Sequence, residues 1–188
     1  VSAKAYGTTH RYVDGNTYKW VDNDVSFPMS SMIRLQFPAQ DTLPAFDLIW
    51  YDGGMKPFAP EELGEDGRDI PNEGMMFVGD QGKILASFHG RNPEIIPERK
   101  MKAYSGEKTV PEQERERRSN TWAAAIRENE ESPGSFIHAG PVTEAINLAA
   151  VALRAKKKVD YDTKNMKITN DEAANKYLTR EYRKGWEI

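Results

Sequence analysis

Two short clusters carry residue types able to hold a small polar ligand. Trp50-Tyr51-Asp52-Gly53-Gly54 sets aromatic rings beside a carboxylate at the end of an apolar run. That combination stacks on a sugar ring and accepts its hydroxyl hydrogen bonds. The plainer reading puts Trp50 in the core and leaves Asp52 to cap an Asp-Gly turn. His89-Gly90-Arg91-Asn92 is the second cluster, a polar group able to reach a ligand and equally readable as an exposed loop. His10, His89 and His138 are far apart, and none has a second histidine at helical ligand spacing. A metalloprotease-like site is therefore absent, and each histidine reads as a surface or hydrogen-bonded residue. Gly79 and Gly82 stand three apart with Asp80-Gln81 between them, so they do not form the Gly-x-Gly-x-x-Gly turn that cradles a pyrophosphate. No phosphate-binding loop and no Gly-x-Ser-x-Gly nucleophile elbow occurs.

The elements that must position these clusters change character along the chain. From Ile33 to Phe37 apolar and polar residues alternate, which predicts a half-buried strand closed by Pro38. Phe46 to Tyr51 predicts a second, more apolar strand ended by Asp52-Gly53-Gly54. Met75 to Val78 and Lys83 to Phe88, joined through Gly79-Asp80-Gln81-Gly82, predict a hairpin. Weaker strands are expected at Val1 to Tyr6 and Glu94 to Pro97, with Gly- and Pro-bearing loops over 7–28, 52–74 and 98–110. Helices follow. Thr109-Val110-Pro111-Glu112 matches a capping box and predicts a helix to about Asn129, its Glu/Arg stretch over 112–118 in solvent and Trp122, Ala125 and Ile126 as its anchor. A second helix is expected from Gly140-Pro141 through Leu153, apolar almost all round and so buried against the sheet, with Lys156 to Lys158 at its C-terminal end. Thr169-Asn170-Asp171-Glu172 predicts a third, running to Arg183 and capped by Gly185. Strands first and helices after, without βαβ alternation, give an α+β domain over 1–188. A mostly antiparallel sheet carries helices on one face and leaves the other open.

Composition limits what the domain can bind. The 188 residues suffice for a core without staples. Cysteine is absent, which removes disulfides, thiolate metal sites and cysteine nucleophiles together. A net charge of −3 and a pI of 5.7 argue against binding a nucleic-acid backbone. No apolar run in the sequence approaches the ~20 residues of a membrane span. Mean hydropathy of −0.73 marks a well-hydrated surface, while 38% hydrophobic residues are too many for a disordered chain. Val1 in place of methionine leads to the expectation of a processed or truncated piece.

Several motifs occur in a familiar order: Trp50 to Pro57, Gly74 to Ile84, Gly140-Pro141-Val142-Thr143-Glu144, Ile168-Thr169-Asn170, Asn175 to Leu178, and Tyr182-Arg183-Lys184-Gly185-Trp186. Together they resemble the C-terminal domain of the Gfo/Idh/MocA oxidoreductases, the glucose–fructose oxidoreductase and inositol dehydrogenase family, over essentially the whole chain. The resemblance implies an upstream Rossmann domain that binds NAD or NADP, with this chain binding no cofactor alone. It also implies an open sheet that serves substrate binding and homo-oligomer contact. The family's nucleotide loop, its Glu-Lys-Pro segment and its Asp/His-bearing helix map nowhere on positions 1–188, so no catalytic residue is carried over. Trp50, Asp52, His89 and Arg91 remain as substrate-binding candidates for a sugar, polyol or related carbohydrate. Two alternatives stand beside this reading: an NAD-dependent glycosidase parent of the same family, and a non-catalytic carbohydrate-binding or oligomerisation domain.

Overall fold

The computed structural model describes residues 1–21, 23–104, 121–132 and 134–186. In chain order the strands are β1 (Ser2–Gly7), β2 (His10–Asp14), β3 (Thr17–Val21), β4 (Ser31–Phe37), β5 (Phe46–Tyr51), β6 (Met75–Val78), β7 (Lys83–Ala86), β8 (Glu94–Ile96), β9 (Val159–Asp162) and β10 (Lys167–Ile168). The helices are α1 (Glu61–Glu65), α2 (Glu98–Tyr104), α3 (Thr121–Glu128) and α4 (Phe136–Ala155), followed by a 3-10 helix at Glu172–Tyr177. They form two compact units, Val1–Met55 with Thr121–Ile188, and Lys56–Asn120. The sheets are antiparallel throughout and the fold is α+β.

In the first unit a five-stranded sheet has the order β10-β9-β1-β4-β5. Strand alternation puts Ala3, Ala5, Leu35, Val159, Tyr161 and Ile168 on one face, where they pack with Leu148, Val151 and Ala152 of α4. Alanines on β1 leave room for α4 to settle on that central strand. The opposite face shows Lys4, Tyr6, Arg34, Gln36, Asp47 and Ile49, partly or largely exposed.

Several elements differ from the sequence expectation. The 7–28 loop contains the β2–β3 hairpin, signalled by Asp14-Gly15 with Gly15 at φ +61°. Short helices α1 and α2 interrupt the other two expected loops. Helix α4 begins at Phe136 and carries Pro141 inside it, because the Ser135 carbonyl already accepts the amides of His138 and Ala139. The helix thus reaches 20 residues, long and apolar enough by composition to cross a membrane, which corrects the shorter apolar run read from sequence. Its C-terminal half is core, but its N-terminal half overhangs the sheet: Ile137, one turn before Pro141, is 72% exposed. Burial all round is therefore corrected to burial of one half. On α3 the packed side is the alanine face at Ala125, and Trp122 and Ile126 stay exposed instead of anchoring it. The start of the expected 112–129 helix lies outside the described residues.

The expected third helix, Thr169 to Arg183, is only the 3-10 turn at Glu172–Tyr177, and the β9–β10 hairpin precedes it. Asn175 explains why it stops: its side-chain oxygen accepts from the Ile168 amide at 2.8 Å and its side-chain nitrogen donates to the Ile168 carbonyl at 3.1 Å. The amide group acts as a strand neighbour to β10 and holds the chain in a short turn.

The second unit is a three-stranded sheet, β6-β7-β8, with α1 and α2. Leu63, Leu85 and Ile96 form its core with Ile70 and Met76 around them. Lys83 donates to Glu62, and this bond holds the Glu62 carboxyl below its ordinary range.

Candidate functional site

The strongest candidate cluster is the corner where β5 ends beside the start of β4. Register pairs Met32 with Tyr51 and Ile33 with Trp50, so Trp50 shares a face with Leu48 and Phe46 on the outer strand. Past Tyr51 the Asp52 amide donates to the Ser31 carbonyl at 3.1 Å, extending the ladder by one bond. The Asp52 side chain returns the contact. Its Oδ1 accepts from the Ser31 amide, and its Oδ2 accepts from Ser31 Oγ at 2.7 Å and from Trp50 Nε1 at 3.2 Å. Ser31 is only 4% exposed, so these bonds satisfy polar groups that water does not reach.

Glycine is required next. Gly53 lies at φ +62°, and a Cβ there would fall 2.2 Å from the Met29 carbonyl oxygen and 2.3 Å from Ser30 Oγ. Ser30 Oγ instead donates to the Gly53 carbonyl at 2.8 Å. The outcome is a corner locked from both sides that presents Trp50, 45% exposed, with its ring edge fixed by Asp52. A carboxylate offers about four acceptor positions. Three are used within the protein, which leaves Asp52 about one for a ligand hydroxyl.

His89 and Arg91 belong to the other compact unit, in the turn after β7. Ser87 closes that turn: its amide donates to the Arg91 carbonyl at 3.0 Å, and its Oγ accepts from the Arg91 amide at 3.1 Å. The His89 ring meets the Phe88 ring edge-on at 5.3 Å. Both candidate side chains are exposed. The structure therefore bonds Trp50 to Asp52 in one unit and leaves His89 and Arg91 exposed in one turn of the other.

A polar chain that sequence reasoning missed crosses the open sheet face. Ser2 Oγ donates to Gln36 Oε1, Gln36 Nε2 donates to Asp47 Oδ1 at 3.1 Å, and Arg34 Nε donates to Asp47 Oδ2 at 3.1 Å. The Arg34 and Gln36 hydrogen bonds hold the Asp47 carboxyl below its usual range. Its only sequence signal was the polar half of the β4 alternation. A depression of about 440 Å³ lies at the end of the sheet between Gln36, Phe37, Asp160 and Asp162.

A family model described as the oxidoreductase family, C-terminal alpha/beta domain, matches residues 10–188. The chain belongs to the Gfo/Idh/MocA oxidoreductase family. It is a C-terminal domain of that family. Searches of curated proteins and of solved structures gave no match.

Motif residues that carry this Gfo/Idh/MocA membership are largely structural. Glu144 accepts from Tyr161 Oη at 2.6 Å, pinning α4 to β9, and burial together with this bond pushes the Tyr161 hydroxyl up to about 12. Thr143 Oγ1 donates to the Ala139 carbonyl, four residues back along the helix, at 2.8 Å. Asn170 accepts from the Asp160 amide at 2.8 Å and donates to the Lys158 carbonyl at 3.1 Å, closing the base of the β9–β10 hairpin. The family is generally NAD(P)-dependent. Among the described residues no parallel βαβ crossover and no glycine-rich strand-to-helix turn occurs.

Proposed function

We propose that this domain is the substrate-side part of an NAD(P)-dependent oxidoreductase acting on a sugar, polyol or related carbohydrate. The observation that carries the reading is the locked Trp50–Asp52 corner in a chain of this family. A half-exposed indole offers a face for the C–H side of a sugar ring, and the carboxylate beside it retains a position for a hydroxyl. The nicotinamide and the proton-handling groups are supplied by residues outside positions 1–188. The chemistry of the bound nucleotide is hydride transfer, and this domain contributes binding and orientation. His89 and Arg91 remain candidates of the second unit by itself, both exposed in the turn after β7. A homo-oligomeric parent, with the open face of the five-stranded sheet meeting a second copy, belongs to the same proposal.

The test uses the full-length gene product containing this chain. It is denatured and the released small molecules are identified by absorbance and mass. A stoichiometric nicotinamide dinucleotide, reduced on addition of a sugar or polyol, supports the reading. A full-length protein that neither retains nor binds NAD or NADP overturns it.

A further inference from the structure

The segment after the 3-10 helix builds a small cavity that the carbohydrate reading does not use. Arg183-Lys184-Gly185-Trp186 closes a turn in which the Trp186 amide donates to the Arg183 carbonyl at 3.0 Å. Gly185, at φ +87°, occupies the turn position that asks for positive φ. This folds the indole back, so that the Arg183 guanidinium lies 4.4 Å from its ring centre. Arg180 lies 4.9 Å from the Tyr182 ring in the same way. With Glu181, these four side chains line a cavity of about 270 Å³.

Arg180 and Arg183 share with Arg11, which lies against Tyr18 and Trp20, a setting made by rings, whereas other arginines of the fold are paired through their donors. Arg34, Arg68 and Arg99 are held by carboxylates, and Arg154 by the carbonyls of Asp24 and Val25. Arg180 and Arg183 make no side-chain hydrogen bond or ion pair among the described residues, although Glu181 lines the same cavity. An aromatic ring lies within cation–π distance of each guanidinium. The N–H donors on its edge, the part that recognises oxyanions in a two-point fork, are left open. We infer that Arg180 and Arg183 form an oxyanion site for a small ligand bearing a phosphate or carboxylate group, with Tyr182 and Trp186 as its aromatic walls. The cavity falls just below the roughly 300–1,000 Å³ of sites for drug-sized molecules, which suits a ligand of monosaccharide size. Glu181 opposes the anion and weakens the site.

The test is an NMR titration of the full chain at constant ionic strength, following the indole N–H of Trp186, which is assigned by its loss in Trp186→Phe. Inorganic phosphate and D-glucuronate are the two anionic probes, and D-glucose is the neutral control. Saturable shifts are expected with phosphate or glucuronate and not with glucose, and which anion saturates identifies the oxyanion. The Arg180→Gln/Arg183→Gln double variant should weaken binding at least about tenfold, as expected for losing two charge-assisted forks. Glu181→Gln should tighten it roughly twofold to threefold. Lys184→Gln, outside the cavity lining, should change it less than about twofold, a screened surface effect. Unchanged indole signals of the other tryptophans show that the variants fold. No saturation by either anion up to roughly 50 mM, beyond any useful affinity, overturns the inference. So do shifts of equal size with glucose, equal binding by the double variant, or an equal loss in Lys184→Gln.

Discussion

The Trp50–Asp52 corner and the Ser87–Arg91 turn look alike in sequence, each an aromatic or histidine beside a charged group and a glycine after a strand, yet they are built in opposite ways. At the corner the side chains carry the structure: Asp52 accepts three donors, Ser31 is buried beneath it, and Gly53 fits where no Cβ can. In the Ser87–Arg91 turn the backbone and Ser87 carry the structure, and the His89 and Arg91 side chains are not needed to close it. A polar cluster next to a strand end is thus a fixed platform in one unit and an adaptable tip in the other. Fixed geometry suits orientation of a ligand.

The contrast can be broken most forcefully at Asp52. Asp52→Ala strips the partners from the Ser31 amide and hydroxyl and is expected to cost about 2–4 kcal/mol in denaturant unfolding. Arg91→Ala should stay within about 0.5 kcal/mol. Equal losses would erase the distinction between the two regions. Gly53→Ala comes next, at about 2 kcal/mol, since the left-handed backbone and the nearby Met29 carbonyl both resist a methyl group. Gly90→Ala, at φ +70° with open space around it, should cost only about 1 kcal/mol for the backbone strain.

A smaller effect separates the corner from the α4–β9 pin, the other place where a motif carboxylate is bound. The Tyr161 hydroxyl sits at about 12 in the folded chain against an ordinary 10.0. The folded state therefore keeps a proton that the unfolded state releases. This contribution is fully present below pH 10 and is lost as pH rises from 10 toward 12. Alkaline unfolding of Tyr161→Phe should lack that loss over the same window, whereas Asp52 variants should retain it. An identical alkaline profile in Tyr161→Phe would contradict the pin. Trp50→Ala is expected to cost less than about 1.5 kcal/mol, because its ring is half exposed.

What the sequence made legible follows from how local each signal is. Period-two alternation at Ile33 to Phe37 and the glycine-bearing link at 79–82 are local, and both β4–β5 and β6–β7 formed where they were expected. The β9–β10 hairpin was hidden because Asn175, seven residues after Ile168, supplies hydrogen bonds that a capping-box pattern at Thr169 to Glu172 cannot reveal. Pro141 misled in the other direction. Proline at a helix start is common, but here the helix nucleates five residues earlier on the Ser135 carbonyl. At the site, Trp50 and Asp52 were visible as residue types. Their mutual bond depends on Ser31, 21 residues away from Asp52, and on a register that no local pattern encodes. The Ser2–Gln36–Asp47–Arg34 chain was invisible for the same reason, since it spans three strands joined only by the fold.

The central claim is that Trp50, oriented by Asp52, is a carbohydrate platform in an NAD(P)-dependent parent, and its most direct measurement is steady-state kinetics of full-length Trp50→Ala. The account predicts a KM for the sugar or polyol raised at least about tenfold, the loss of one aromatic stacking contact, with nucleotide affinity unchanged. An unchanged KM, or equal losses in sugar and nucleotide binding, would contradict it.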